Sequence, residues 1–245
     1  MAVWEADLVA VDGSNDIDRG SAQWGQDADL LPPDPDLPPL HQRDYRVRAW
    51  ALDESTLLIR GAVMDIRPAE VVTELVRGYG VSGRRQDPLP IHHMIVDLHV
   101  GFPDMVIKEA RVLFEVHPQP GCPSIGCDYQ RLVGLSISRG FTHKVRELFG
   151  GPRGCTHTTA LLQAMAPVAL QSVFSMRGRS RDREAPASAP TFMRDTCHVW
   201  ASDGGLWQGV TIGKHPPVPL PTQQLLRANG VPPEVIEGRR FGGDP

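Results

Sequence analysis

The four residues Gly154-Cys155-Thr156-His157 place a thiol and an imidazole at the start of the chain's clearest helical pattern. A thiol at a helix N-terminus lies near the positive end of the helix dipole and near free backbone N–H groups, and both favour the thiolate. A thiolate binds metal ions or attacks electrophiles, and an imidazole two residues further along can act as a second ligand or as a base. The stretch therefore predicts a functional site without naming its substrate.

All four cysteines of the chain fall into three groups, two of which contain a histidine: Cys122 with Cys127, Cys155 with His157, and Cys197 with His198. A four-residue gap between two cysteines is compatible with metal ligation. Thiolate and imidazole bind tetrahedral zinc, and thiolates also hold iron–sulfur clusters. We therefore predict a metal-binding protein that takes zinc, iron or an iron–sulfur cluster through these six residues.

Two other functions remain open. In the first, the protein is a small-molecule enzyme in which Cys155 is the nucleophile, or in which a His/Asp pair supplies acid and base. His157 or His198 would be the base, and Asp97 or Asp195 would orient the imidazole. In the second, the protein is a non-catalytic interaction protein, and its cysteines are small buried hydrophobic residues.

Length and composition fit one main domain with extended tails, or two small domains. The chain has 245 residues, of which 41% are hydrophobic, and a formal net charge of −4. This mild negative charge gives no electrostatic reason to expect nucleic acid or an anionic membrane as a partner. A homo-oligomer and a protein partner on the proline-rich tail stay open.

Motifs for nucleotides, membranes and secretion are missing from the sequence. Neither a Walker-type loop nor a Gly-x-Gly-x-x-Gly turn after a strand occurs, so no nucleotide cofactor is expected. No apolar run approaches about 18 residues, and the first residues lack the pattern of a signal peptide. We therefore expect a cytoplasmic protein, in which four cysteines do not form a disulfide framework.

Proline content and charge divide the chain into four parts. Residues 1–41 are acidic and proline-rich and are expected to be weakly ordered. Residues 42–176 form the organised core, and 177–192 are typical of an exposed linker. Residues 193–245 carry Cys197-His198 and a proline-rich tail, which is expected to pack on the core.

Alternating apolar residues predict two hairpins within the core. The first joins 45–52 to 56–64, and the second joins 90–100 to 106–115. On the second hairpin the apolar residues share one face, and the other face carries polar residues typical of a solvated surface: His93, Asp97, His99, Glu109 and Arg111.

Helices are expected over 68–77, 128–135, 141–149 and 155–176, and Pro167 is expected to kink or divide the last one. The predicted fold is α+β, with an antiparallel sheet of three to five strands and helices packed on one face.

Several blocks in this order resemble a bacterial family of unknown function, numbered 2889, over about residues 42–210: Pro90-Ile91-His92-His93-Met94, Leu132-Val133-Gly134-Leu135, Gly154-Cys155-Thr156-His157, Ala169-Leu170-Gln171-Ser172 and Cys197-His198-Val199-Trp200. Where the family pattern has Asp after the first histidine, this chain has His93. Where it has Leu after Gly-Cys-Thr-His, this chain has Thr158. The resemblance implies no activity.

A fainter resemblance, over about residues 88–176, is to iron–sulfur scaffold proteins of the NifU and SufE type. It rests on a hairpin, a cysteine loop, two helices and a Cys/His pair that opens a long helix. The resemblance implies that Cys122 or Cys127, with Cys155 and His157, binds zinc or a nascent cluster. The further cysteine of those scaffolds has no counterpart here, and His143 is the nearest residue to its place.

Overall fold

The computed structural model describes residues 36–37, 39–138, 140–179, 193–213 and 216–238. The chain divides into two compact units, and the break after Arg181 lies inside the predicted linker. The predictions for residues 1–35, for most of the linker (180–192) and for the end of the tail (239–245) lie outside the described residues.

Four strands form one antiparallel sheet in the order in which they occur in the sequence. They are β1 (Gln42–Ala51), β2 (Thr56–Arg67), β3 (Leu89–Gly101) and β4 (Ile107–Val116). Helix α1 (Ala69–Arg77) lies between β2 and β3 in the sequence. The predicted α+β class and both predicted hairpins are confirmed.

The strands alternate because one face of the sheet is covered and the other faces water. Leu57, Ile59 and Val63 of β2 are fully or almost fully buried. The same is true of Met94, Val96, Leu98 and Val100 of β3, which pair directly with that face of β2. The opposite face carries the Arg60–Asp97 and His99–Glu109 ion pairs, so the predicted solvated face is found.

Helices α2 (Phe141–Phe149) and α3 (Thr156–Arg179) follow the sheet in the sequence. The helix predicted over 128–135 is instead a 3₁₀ helix, Cys122–Leu132. This helix ends earlier than predicted because the backbone of Val133 is extended, and Gly134 follows with a φ of +87°. Helix α3 continues through Pro167, which lies on its exposed side, so the proline does not divide the helix.

Helix α3 runs antiparallel to β2 across the covered face of the sheet. Its first turn meets β2 at Asp65, because the ring of His157 contacts that carboxylate. Its middle lies over Gly61, where a Cβ atom would come within 2.8 Å of the Met165 sulfur. Near its end, Met176 shares a cleft with Leu57. Glycine at position 61 thus lets the helix approach the strand closely.

One described helical segment, Thr156–Met176, is long and apolar enough to cross a membrane by length and composition alone, with a mean hydropathy of 1.3. The prediction that no run has this character is therefore wrong. Core helices pass the same test, and Leu161, Leu162 and Met165 of this segment are fully buried.

The second unit is described over 193–213 and 216–238 and is built from short helices. A 3₁₀ turn, His198–Trp200, precedes α4 (Gly205–Thr211), α5 (Leu220–Ala228) and α6 (Pro233–Gly238). The packing of this unit on the core stays a prediction.

The turn between α2 and α3 sets the start of α3 and can be tested at Gly154. A Cβ atom there would lie 2.5 Å from the Phe149 carbonyl oxygen, whereas a Cβ at Gly121 meets nothing within 4 Å. We expect Gly154→Ala to lower the free energy of unfolding by about 1–3 kcal/mol, because backbone must move. Gly121→Ala should change it by less than about 0.5 kcal/mol. Urea denaturation measures both, and equal midpoints would contradict the packing described here.

Candidate metal centre

A row of three polar residues lies across one end of the covered sheet face. The register pairs Arg43 of β1 with Asp65 of β2, and Asp65 with His92 of β3. Directly opposite residues on neighbouring strands project to the same face. The apolar face of the sheet therefore ends in a guanidinium, a carboxylate and an imidazole that lie side by side.

Helix α3 adds a second imidazole to this row. Nε2 of His157 lies 2.9 Å from Oδ2 of Asp65, and Nδ1 of His92 lies 3.1 Å from the same oxygen. The two rings stack with centroids 3.9 Å apart. Among the described residues, these three form the only group of at least three His, Cys, Asp or Glu whose ligand atoms all converge within 4.8 Å.

The carboxylate of Asp65 is buried and is held by Arg43. Its side chain is 2% exposed, and two guanidinium nitrogens of Arg43 contact it at 2.5 and 2.7 Å. Hydrogen bonds from Arg43 hold the pKa of Asp65 well below its usual range, and the same pairing raises the pKa of Arg43. Asp65 therefore stays ionised although it is buried.

Oxygen Oδ2 of Asp65 is crowded with nitrogen atoms. Three of them lie within 3.1 Å of it: Nη2 of Arg43, Nδ1 of His92 and Nε2 of His157. A carboxylate offers about two lone pairs on each oxygen. Three N–H donors therefore exceed the number that this oxygen accepts in good geometry. One N–H from Arg43 and one cation shared with the two imidazoles do not exceed it.

Cys155 lies beside the centre rather than within it. Its Sγ is 3.5 Å from Nδ1 of His157, the ring nitrogen that faces away from Asp65. The backbone N–H of Cys155 donates to the hydroxyl of buried Tyr129, and burial raises the pKa of that phenol. The carbonyl of Cys155 accepts the N–H of Thr159, which places Cys155 at the N-cap of α3.

The other predicted ligands are not in the converging group. Of the six, only His157 belongs to it, and Cys122, Cys127, Cys197 and His198 belong to no such group among the described residues. Cys127 and Cys197 are exposed, and Cys122 and Cys155 are intermediate. None of the four cysteines is buried, so the view of them as core residues is wrong.

The aspartates proposed from sequence to orient an imidazole lie elsewhere. Asp97 is on the solvated face of the sheet, where Arg60 contacts it at 2.6 and 2.7 Å. Asp195 accepts a hydrogen bond from the backbone of Ser202 in the second unit. The carboxylate that contacts His157 is Asp65, which the sequence analysis did not name.

Burial of the His157 ring gives the centre a pH dependence. Burial lowers the pKa of His157, and the neighbouring His92 adds to the effect, whereas Asp65 opposes it. A lowered folded-state pKa means that the unfolded chain binds protons more readily. The contribution of the buried, neutral His157 ring to the free energy of unfolding is therefore fully present above the ordinary histidine pKa of about 6.5. It is lost as the pH falls through the lower folded-state pKa.

We expect the metal-free protein to lose stability between pH 7 and pH 5, and His157→Gln to lose less over the same interval. Urea midpoints measured in the presence of a chelator test this. The same pH slope in both proteins would show that His157 is not the group responsible.

Comparisons with known proteins identify a family but no activity. A family model described as "Protein of unknown function (DUF2889)" matches residues 41–171, more than half of the chain. No curated protein and no solved structure matches the chain, so the likeness to NifU- and SufE-type scaffolds stays a prediction. The matched segment contains Asp65, His92 and His157, and the chain belongs to the DUF2889 family of proteins of unknown function.

Proposed function

We propose that this protein holds one divalent transition-metal ion through Asp65, His92 and His157. The observation that carries the proposal is the crowded Oδ2 of Asp65, which two imidazole nitrogens approach at 2.9 and 3.1 Å beside the guanidinium. Replacing the two imidazole protons by one cation leaves this oxygen with two partners, which matches its two lone pairs.

The distances fit ligands of one ion. Zinc–nitrogen and zinc–oxygen bonds are about 2.0–2.2 Å long, so two ligands at 90–110° around the ion lie about 2.8–3.6 Å apart. The contacts of Asp65 Oδ2 with His92 and His157 fall in that interval. The ion would use Nδ1 of His92 and Nε2 of His157, which fixes the tautomer of each ring.

The surroundings supply partners of the kind that metal ligands need. A metal-bound histidine donates its other ring N–H to an acceptor, and ligating carboxylates are themselves hydrogen-bonded. Here Nδ1 of His157 faces the Cys155 sulfur at 3.5 Å, and Arg43 donates to both oxygens of Asp65. Cys155 is thus a partner of a ligand rather than a ligand.

Two histidines and one carboxylate define the chemistry of such a centre. This ligand set leaves coordination positions open for water or substrate, as in hydrolytic zinc sites and in non-haem iron sites. It contains no thiolate, so it suits a single zinc or iron ion rather than an iron–sulfur cluster. The centre would polarise a bound oxygen atom or activate a water molecule.

Metal analysis of ligand variants tests the proposal. The purified protein should carry about one zinc or iron per chain. Asp65→Asn and His157→Ala should lower its affinity by more than about 100-fold, because a ligand is lost. Cys155→Ser should keep the metal, since the serine hydroxyl also accepts the His157 N–H.

Asp97→Asn is the matched control, because Asp97 is also paired with an arginine but lies on the opposite face. It should bind metal like the wild type. Loss of metal in Cys155→Ser, together with retention in Asp65→Asn, would overturn the proposal and favour a cysteine site.

A second candidate function rests on the alignment of Cys155, His157 and Asp65. The thiol faces Nδ1 of His157 at 3.5 Å, and Nε2 of the same ring faces Asp65 at 2.9 Å. In a metal-free protein this is the order of nucleophile, base and orienting carboxylate. His157 would take the thiol proton, and the sulfur would form a bond to a carbonyl carbon while the π electrons of that C=O bond move to its oxygen.

Alkylation separates this candidate from the first. Cys155 is less exposed than Cys127, so accessibility alone predicts that iodoacetamide labels Cys155 more slowly. An activated thiol reverses that order by at least about tenfold, and His157→Ala restores it. Peptide mapping after brief labelling near neutral pH shows the order, and slower labelling of Cys155 would exclude the activated thiol.

A further inference from the structure

We propose that the metal-loaded centre binds an anionic oxygen ligand, a carboxylate or phosphate oxygen, in its open coordination position. The ligand enters on the side of His41 and Arg43. This inference rests on the proposed metal function and names the class of ligand that the same centre takes. It follows from the charge of the surrounding groups and from which of them face solvent.

The charges around the centre do not balance a divalent ion. Asp65 is the only carboxylate of the converging group, and the guanidinium of Arg43 already neutralises it through two contacts. Histidines bind metal as neutral imidazoles, so His92 and His157 contribute no negative charge. A divalent ion at this position therefore leaves about two uncompensated positive charges beside a buried carboxylate.

Uncompensated charge is costly where water is excluded. The side chains of Asp65, His157 and His92 are 2%, 13% and 19% exposed. Little water therefore reaches the position of the ion between these side chains, and its charge is weakly screened. Electrostatic interactions strengthen as the effective dielectric constant falls. An anion in the open position removes part of the excess charge, whereas a neutral ligand of the same shape removes none.

The solvent-facing edge of the centre offers hydrogen-bond donors from two exposed side chains. Arg43 is 38% exposed, and His41, whose Nε2 lies 3.6 Å from Oδ1 of Asp65, is 44% exposed. They are the two most exposed of the described side chains that contact the carboxylate, and each carries N–H groups. A ligand that arrives from this edge passes hydrogen-bond donors, which attract oxyanions.

Cobalt(II) gives a direct readout, since its visible absorption bands change when a ligand enters its coordination shell. The cobalt-loaded protein would be titrated at constant ionic strength with acetate, with inorganic phosphate and, as a neutral isostere of acetate, with acetamide. We expect a saturable spectral change with acetate or phosphate and none with acetamide at the same concentration. The oxyanion that binds more tightly identifies the ligand class.

Variants then test the role of charge. Arg43→Met, titrated with enough cobalt to saturate the variant by its own cobalt titration, should bind the oxyanion tenfold or more weakly than the cobalt-saturated wild type. Arg60→Met is the matched control, because Arg60 is paired with Asp97 in the same way on the other face of the sheet, and it should bind the oxyanion like the wild type. His41→Ala, at an exposed position, should weaken binding threefold or more and serves if Arg43→Met does not fold.

Each failure has a distinct meaning. A protein that takes up no cobalt contradicts the proposed function and this inference with it. A protein that takes up cobalt but responds equally to acetate and acetamide, or to neither oxyanion, keeps the metal centre and overturns the inference. Unchanged oxyanion affinity in both the Arg43 and His41 variants overturns it as well.

Discussion

A carboxylate that is removed from water must be surrounded by cations or hydrogen-bond donors, and the carboxylate of Asp65 is such a group. Three neighbouring elements supply those partners: Arg43 comes from β1, His92 from β3 and His157 from α3. Loss of any one of them leaves a buried charge with fewer partners. These contacts therefore connect β1, β3 and α3 to Asp65 of β2 at one end of the core.

The antiparallel arrangement of α3 and β2 explains why His157 of α3 lies beside Asp65 of β2. The covered face of β2 is apolar from Leu57 to Val63 and then carries Asp65, while α3 carries His157 in its first turn and continues into buried leucines. Pairing the two apolar stretches in opposite directions brings the two polar ends together. Gly61 permits the close approach, and the turn at Gly154 sets where the helix begins.

Much of the fold could be predicted because its signals are local. The strands, from their alternating apolar residues, and the helix at 141–149 can be predicted from neighbouring residues alone. The centre was missed although part of it was visible: the face that carries Met94 and Val96 continues two residues back to His92, and the face of Val63 continues to Asp65. That these two residues pair, and that His157 meets them, depends on long-range register, which no local pattern reveals.

The spacing of the cysteines predicts a thiolate site, whereas the structure brings together a carboxylate and two imidazoles. X-ray absorption of the zinc-loaded protein distinguishes the two most directly, because zinc–sulfur bonds are about 2.3 Å long and zinc–nitrogen and zinc–oxygen bonds about 2.0–2.2 Å. A first shell of nitrogen and oxygen alone, with the multiple scattering typical of two imidazoles, is the result expected from Asp65, His92 and His157. A sulfur ligand at about 2.3 Å would contradict the account and return Cys155 to the first shell.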